Sequence, residues 1–224
     1  MSKILVIPGA DFSNSAILFT RLEGTPGYTL IPSIGSGSFK INELGFCLID
    51  DIVTPDANGR FALGNYNADN NDITKIRACW DVPGSGIRSF TQLFCRLKAM
   101  TEIDCTALDT NGITDYSHCF RYCNQIENID LSTWTSNRAL STVSYMFDGC
   151  TSLKTVDLGT IEIRDTATTM FTNCPNLEKV RTHFTNDTLI GYIRSVLNSA
   201  NAGGSSNWVQ GVDTDGVAML TPES

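Results

Sequence analysis

The apolar residues in the middle of the chain recur in one fixed order. Each copy has a phenylalanine, then Cys or Leu three residues on, then Leu, Ile or Met, then Ile or Val followed by a charged residue. Four segments align on this pattern without gaps: residues 94–104, 120–130, 147–157 and 171–181. Residues 73–77 keep only its second half. The chain therefore carries about four full repeats and one degenerate repeat.

The spacing of these copies predicts the fold. Their aliphatic anchors lie 27, 26, 27 and 24 residues apart, and they are Ile73, Met100, Ile126, Leu153 and Leu177. Such a period is typical of solenoids whose repeat is one strand plus a helical or irregular return. One coil of this length cannot bury its own apolar face, so neighbouring coils must stack. We therefore predict an α/β repeat fold built as a solenoid.

Stacking in register would place equivalent side chains in rows. The predicted aromatic row consists of Phe94, Phe120, Phe147 and Phe171, and a second row consists of Leu97, Cys123, Cys150 and Cys174. A buried free cysteine behaves as a small hydrophobic residue. The opening of the chain has an apolar run too short for an export signal, which favours reduced thiols over disulfides. We expect the cysteines to pack in the core.

The flanking segments do not follow the repeat, and they predict three parts. These are a β-rich N-terminal attachment or cap region (1–70), the repeats (71–184), and a capping helix with a tail (185–224). Short strands are predicted at residues 4–7, 46–50 and 60–63, and Ser13 is a candidate helix cap.

Residues 186–198 predict an amphipathic helix that begins at Thr185 or Asn186. Its predicted apolar face consists of Leu189, Ile193, Val196 and Leu197. A terminal repeat needs a cap that shields the exposed end of the core, and this helix suits that position. Residues 216–220 predict one further strand.

The repeat resembles the BspA-like leucine-rich repeats, which are common on surface proteins of gut and oral bacteria and in their phages. The resemblance covers residues 73–181 and is closest at residues 129–135 and 143–153. It departs from the pattern at Leu97, which replaces the cysteine of the other copies. The resemblance implies a leucine-rich-repeat solenoid used for adhesion or protein display, and it implies no catalytic residue.

Strands stacked in register would also form two outward polar columns. The first is Arg77, Asp104, Asp130, Asp157 and Arg181, and the second is Lys75, Glu102, Asn128, Thr155 and Lys179. Parallel strands lie about 4.8 Å apart, so neighbouring aspartates repel, and the arginine at each end offsets part of that cost. Three interpretations stay open: a solvated charged face, a binding surface for a basic protein segment or polar glycan, and a calcium site. The first column supplies our candidate binding residues.

Trp134 completes the candidate binding residues, although a tryptophan in such a loop also caps the core. His118, Cys119 and Cys123 lie close together, but zinc needs a fourth ligand and Cys123 is explained by its row, so we predict no metal. No nucleophile, base and orienting group occur in a recognisable constellation. We therefore predict no cofactor and no enzymatic activity.

The chain is acidic, with a formal net charge of −8, which disfavours nucleic acid as a partner. No stretch is long and apolar enough to predict membrane insertion. The opening residues 4–15 resemble the start of virion proteins from phages of gut Bacteroidales.

Together these features lead us to expect a non-catalytic display protein of a phage virion, made in the host cytoplasm. Its expected partners are other virion proteins and a host-surface protein or glycan, with a homotrimer as one arrangement. The alternative is a bacterial cell-surface adhesin.

Overall fold

The computed structural model describes residues 17–22, 29–30, 35, 39–41, 47–49, 55–71, 73–79, 86–106, 108, 110–136, 142–163 and 169–223. The strands are β1 (Ile17–Leu22), β2 (Thr29–Leu30), β3 (Phe39–Ile41), β4 (Cys47–Ile49), β5 (Ile73–Cys79), β6 (Glu102–Asp104), β7 (Asn128–Asp130), β8 (Thr155–Asp157), β9 (Lys179–Thr182), β10 (Trp208–Val212) and β11 (Ala218–Pro222). One α-helix, α1 (Asp187–Ala200), lies in the described part of the chain.

The strands form three sheets in the orders β1-β5-β6, β2-β3-β4 and β10-β11-β9-β8-β7. The repeat strands pair in parallel: β5 with β6, β7 with β8, and β8 with β9. Their central residues point inward because side chains alternate along a strand: Ile129 pairs with Val156, which pairs with Val180, and all three are buried. The parallel strands therefore pair in the register that the repeat predicts.

Antiparallel strands flank the parallel ones at both ends. β1 pairs with β5, and β11 pairs with β9 and forms a hairpin with β10. The predicted strand at 46–50 corresponds to β4, and the one at 216–220 overlaps β11. Residues 60–63 do not form a strand: Arg60 makes an isolated parallel bridge to Ser89. The predictions for residues 4–7 and Ser13 lie outside the described residues.

Where the structure describes the return segments between strands, they form a series of overlapping turns and no helix. Alternate backbone N–H groups donate across to the next copy, as from Phe94 to the carbonyl of Cys119 at 2.8 Å. The groups between them bond locally, as from Cys95 to the carbonyl of Gln92 at 3.0 Å. Left-handed residues interrupt any helical run, for example Gln92 at φ 63° and Arg96 at φ 59°. Of the two kinds of return that the period allows, helical or irregular, the described residues therefore form the irregular one.

The predicted aromatic row is confirmed. The ring centroids of Phe94 and Phe120 lie 5.3 Å apart, those of Phe120 and Phe147 5.5 Å, and those of Phe147 and Phe171 5.2 Å. All four rings are fully buried. Because these residues are about two dozen positions apart in sequence, the row shows that the aligned copies lie on top of one another.

The predicted row of cysteines is also confirmed, and it has a polar function as well as an apolar one. The thiols of Cys123, Cys150 and Cys174 donate to the carbonyl oxygens of the phenylalanine one copy earlier, at 3.1, 3.0 and 3.1 Å. These cysteines are free and buried. The small thiol therefore fills space and supplies one donor to a buried carbonyl, which explains cysteine at this position.

The C-terminal helix closes the end of the core. The side chain of Asn186 caps it by accepting from the N–H groups of Thr188 and Leu189 at 2.9 and 3.3 Å. Its buried residues are Ile190, Ile193, Val196 and Leu197, so Ile190 takes the place predicted for Leu189, which is only half-buried. Trp208 packs beside it with its indole N–H on the carbonyl of Ala202 at 3.0 Å. No helix in the described part of the chain has the length and apolar character to cross a membrane.

Candidate binding surfaces

The outward faces of β6 to β9 line a depression of about 440 Å³, which we call the strand-face groove. Its lining residues are Thr101, Glu102, Ile103, Asn128, Ile129, Asp130, Thr155, Val156, Asp157, Lys179 and Arg181. Most of these are the polar residues of the two predicted columns. The groove therefore contains most of the surface that the sequence singles out.

The columns have the predicted register within each sheet. Arg77 pairs with Asp104, and Asp130 pairs with Asp157, which pairs with Arg181. β6 and β7 belong to different sheets, so the first column is divided between Asp104 and Asp130. The side chain of Arg77 lies outside the described residues.

The groove spans the break between β6 and β7, and one core side chain is partly exposed there. Cα atoms of the two strands still come within 8 Å of one another, so the gap is narrower than the roughly 9.6 Å that an inserted strand requires. Ile103 is partly exposed, whereas the equivalent inward residues Ile129 and Val156 are buried. The groove consequently combines polar side chains with three apolar lining residues, Ile103, Ile129 and Val156, of which Ile103 is the most exposed.

Each aspartate of the column closes the turn that follows its strand. Asp104 accepts from the hydroxyl of Thr106 at 2.8 Å, and Asp130 accepts from the backbone N–H of Ser132 at 2.8 Å. Asp157 accepts from the N–H of Gly159 at 2.9 Å. These are Asx turns, in which an aspartate oxygen bonds the chain two residues on. The pattern Asp-x-Thr, Asp-x-Ser and Asp-x-Gly was the sequence signal for this structural role.

Asp157 is buried, so the prediction that it is an exposed binding residue is wrong. Its second carboxylate oxygen lies 3.2 Å from Arg181 and 3.1 Å from the Nε2 of His183. Arg181 is also paired with Asp213 and Asp215 of the β10–β11 turn at 2.6 and 3.5 Å. Burial follows from this pairing, because a carboxylate that pairs with a guanidinium and accepts further hydrogen bonds can leave water. Asp130 remains exposed and Asp104 half-exposed.

Trp134 is fully buried, so the prediction that it binds a partner is wrong. Its indole N–H donates to the carbonyl of Cys105 at 3.0 Å, and its ring lies 5.4 Å from Phe90 and 5.6 Å from Tyr116. The alternative interpretation, that Trp134 caps the core, is correct. Its partners come from neighbouring copies, which is why the loop position alone did not reveal its burial.

The described residues hold no group of three His, Cys, Asp or Glu side chains arranged to bind a metal ion. Burial raises the pKa of the Cys119 and Cys123 thiols well above the usual range, so both stay protonated. His118 turns away from them to stack on Tyr145. One carboxylate oxygen of each of Asp104, Asp130 and Asp157 closes a turn, and the other oxygen of Asp157 is paired with Arg181. The described residues thus give the calcium interpretation no support.

A second surface was missed in the sequence, and we call it the tyrosine–arginine patch: Tyr66, His118, Arg121, Tyr122 and Tyr145. The Arg121 guanidinium lies 5.3, 4.6 and 4.9 Å from the ring centroids of the three tyrosines, in chain order. His118 stacks on Tyr145 at 5.1 Å and meets Tyr66 edge-on at 5.4 Å. Burial and then the Arg121 charge lower the pKa of His118, so this imidazole is neutral at physiological pH.

Comparison with known families identifies the central region. Residues 90–193 match the family described as the BspA type leucine rich repeat region, in six copies. Searches of curated proteins and of solved structures gave no significant match. The family match counts copies differently from the repeat pattern above, so the number of repeats stays a prediction. Regions of this type are typically non-catalytic and suggest protein binding or adhesion. Residues 90–193, a little less than half of the chain, are therefore similar to the BspA type leucine rich repeat region.

Proposed function

We propose that this protein is a non-catalytic binding module whose repeats form a leucine-rich-repeat solenoid and contact a protein or glycan partner through the strand-face groove. The observation that carries the proposal is the concentration of outward polar residues from four successive strands around one depression of about 440 Å³. A volume of this size accommodates a small ligand or a short segment of a larger one.

The charges of the groove are separated along its length. Exposed carboxylates of Glu102 and Asp130 lie at the β6–β7 end, and the cations of Lys179 and Arg181 lie at the β9 end. Arg181 is held by Asp157, Asp213 and Asp215, so Lys179 is the cation better placed to meet a partner. This arrangement favours a polar partner with a basic group toward β6 and β7, because complementary charges set orientation.

The test uses a printed glycan array and an array of synthetic peptides, probed with the whole protein. Any ligand of the groove should lose roughly tenfold or more in affinity with Asp130→Lys, because this reverses an exposed charge in the groove. Glu223→Gln is the matched control, since this exposed carboxylate lies outside the groove. Binding that is unchanged by Asp130→Lys and Lys179→Glu would reject the groove as the binding surface.

We further propose that the protein is displayed on a phage virion, where residues 1–70 mediate attachment or assembly with other virion proteins. The resemblance of residues 4–15 to the start of phage virion proteins supports this location. Mass spectrometry of purified particles tests it, and absence of the protein from the particles would remove the idea. The resemblance to repeats of bacterial surface proteins favours the second candidate, a cell-surface adhesin, for which detection in the bacterial envelope fraction is the corresponding test.

A homotrimer remains a further proposal for its assembly. Light scattering coupled to size-exclusion chromatography gives the mass directly, and a monomeric mass at all concentrations would contradict it.

A further inference from the structure

The tyrosine–arginine patch exposes two large aromatic side chains close together. Tyr66 and Tyr145 are 43% and 36% exposed, and the other large apolar side chains with comparable exposure in that part, Val209 and Val212, lie on β10. The two tyrosines stand on either side of His118. Large exposed aromatic side chains brought together from distant parts of the chain indicate a contact surface.

The patch is rigid before any partner arrives. Arg121 donates to Asp148 at 2.7 Å, to the hydroxyl of Tyr66 at 2.8 Å and to that of Tyr122 at 3.1 Å. Asp148 is itself buried and is held on its other oxygen by Asn173 at 3.0 Å. Side chains that are already fixed lose little conformational entropy on binding, which favours recognition.

The side chains of the patch project from turns in which the backbone is left-handed. His118, Tyr122 and Tyr145 have φ of 58°, 60° and 57°, and Gln92 and Arg96 at the equivalent positions of the preceding copy have φ of 63° and 59°. At the position of Tyr122 the following copies carry Gly149 and Asn173, residue types that tolerate this conformation. The turn therefore belongs to the repeat and does not itself require an aromatic side chain at these positions.

We infer that the tyrosine–arginine patch is a second binding surface, separate from the strand-face groove, and that it takes a protein partner. Tyrosine and arginine are the residue types enriched at the energetic centres of protein interfaces. Sugars stack on open ring faces, whereas here Arg121 lies over the rings of Tyr66, Tyr122 and Tyr145, and His118 is stacked on Tyr145. The ring surfaces of Tyr66 and Tyr145 that stay exposed suit packing against an apolar protein side chain.

The local charge defines the partner further. At the border of the patch the partly exposed cations Arg96 and Lys98 share a single carboxylate, Asp69. Arg121 is paired with the buried Asp148, and Asp115 near His118 is held by the hydroxyls of Thr91 and Thr142. One exposed cation is therefore in excess at this border, on a protein of net charge −8. The fitting partner therefore presents an apolar side chain between Tyr66 and Tyr145, flanked by acidic residues.

The experiment selects binders to the whole protein from a displayed library of random peptides. The variant is Tyr145→Asn, because asparagine tolerates the left-handed backbone and removes only the ring. Val212→Asn is the matched control, since it removes an exposed apolar side chain (68% exposed) from β10. Urea denaturation of both variants checks that the fold is retained.

We expect an apolar and acidic consensus whose affinity falls roughly tenfold or more with Tyr145→Asn and stays unchanged with Val212→Asn and with Asp130→Lys. Loss of binding with Asp130→Lys alone would place the peptides in the groove and overturn the inference while supporting the proposed function. Failure to select a consensus would also overturn the inference. Binding that depends on Tyr145 but is seen only on a glycan array would do the same. So would a Tyr145→Asn variant whose only change is a loss of self-association.

Discussion

Replacing Phe147 with leucine removes one ring from the interior of the aromatic row and keeps a large apolar side chain in its place. The ring is fully buried and stacks on both neighbours, at 5.5 Å from Phe120 and 5.2 Å from Phe171. An aromatic pair contributes about 0.5–1.5 kcal/mol beyond the area it buries, so two lost pairs cost about 1–3 kcal/mol. Incomplete filling of the site adds up to roughly 1.5 kcal/mol.

The matched variant is Phe171→Leu, at the end of the row. Of the four rings in the row, Phe171 contacts only Phe147, so this variant should be less destabilising by one pair, about 0.5–1.5 kcal/mol. Urea denaturation followed by far-ultraviolet circular dichroism measures the free energy of unfolding of each variant.

A double-mutant cycle on Phe120 and Phe147 isolates their contact. The expected coupling is about 1 kcal/mol, since the rings touch directly. A coupling of zero, or equal losses for the interior and terminal variants, would refute the claim that the stacked rings stabilise the fold.

Three further predictions concern the core and the helix. Burial raises the pKa of thiols such as Cys123 well above the ordinary 9.0 of the unfolded thiol, so stability is lost as pH rises above 9. Urea melts at pH 7 and 10 should show a loss of roughly 1 kcal/mol per buried thiol, and Cys123→Ala should reduce the loss by that amount. Gly64→Ala should destabilise by at least about 2 kcal/mol in the same assay, because a Cβ there would lie 2.2 Å from the backbone nitrogen of Cys95; an unchanged midpoint would contradict this close approach. Gly191→Ala should stabilise by up to about 1 kcal/mol, because the position is inside α1 and open space surrounds its Cβ; a lower melting temperature would argue against it.

The repeat architecture could be predicted because its signals are local and periodic. Phe94, Phe120 and Phe147 align without gaps, and a chain that repeats an apolar residue at this period buries it by stacking copies. The register of Asp130 against Asp157 followed from the same alignment. The helix at Asp187–Ala200 was visible because its cap and apolar spacing lie within one short segment.

What the sequence by itself determined is thus the set of residues that lie in equivalent places: the phenylalanine row, the thiol row and the outward columns of the strands. Only the tertiary structure decided how exposed each member is, because exposure depends on partners from other copies and from the C-terminal hairpin, as with Arg181 and His183 around Asp157. The same reason hid the tyrosine–arginine patch, whose hydrogen bond from Arg121 to Tyr66 joins residues 55 positions apart. Periodicity assigns a residue to a row, whereas packing between rows decides whether that residue meets water, a neighbour or a partner.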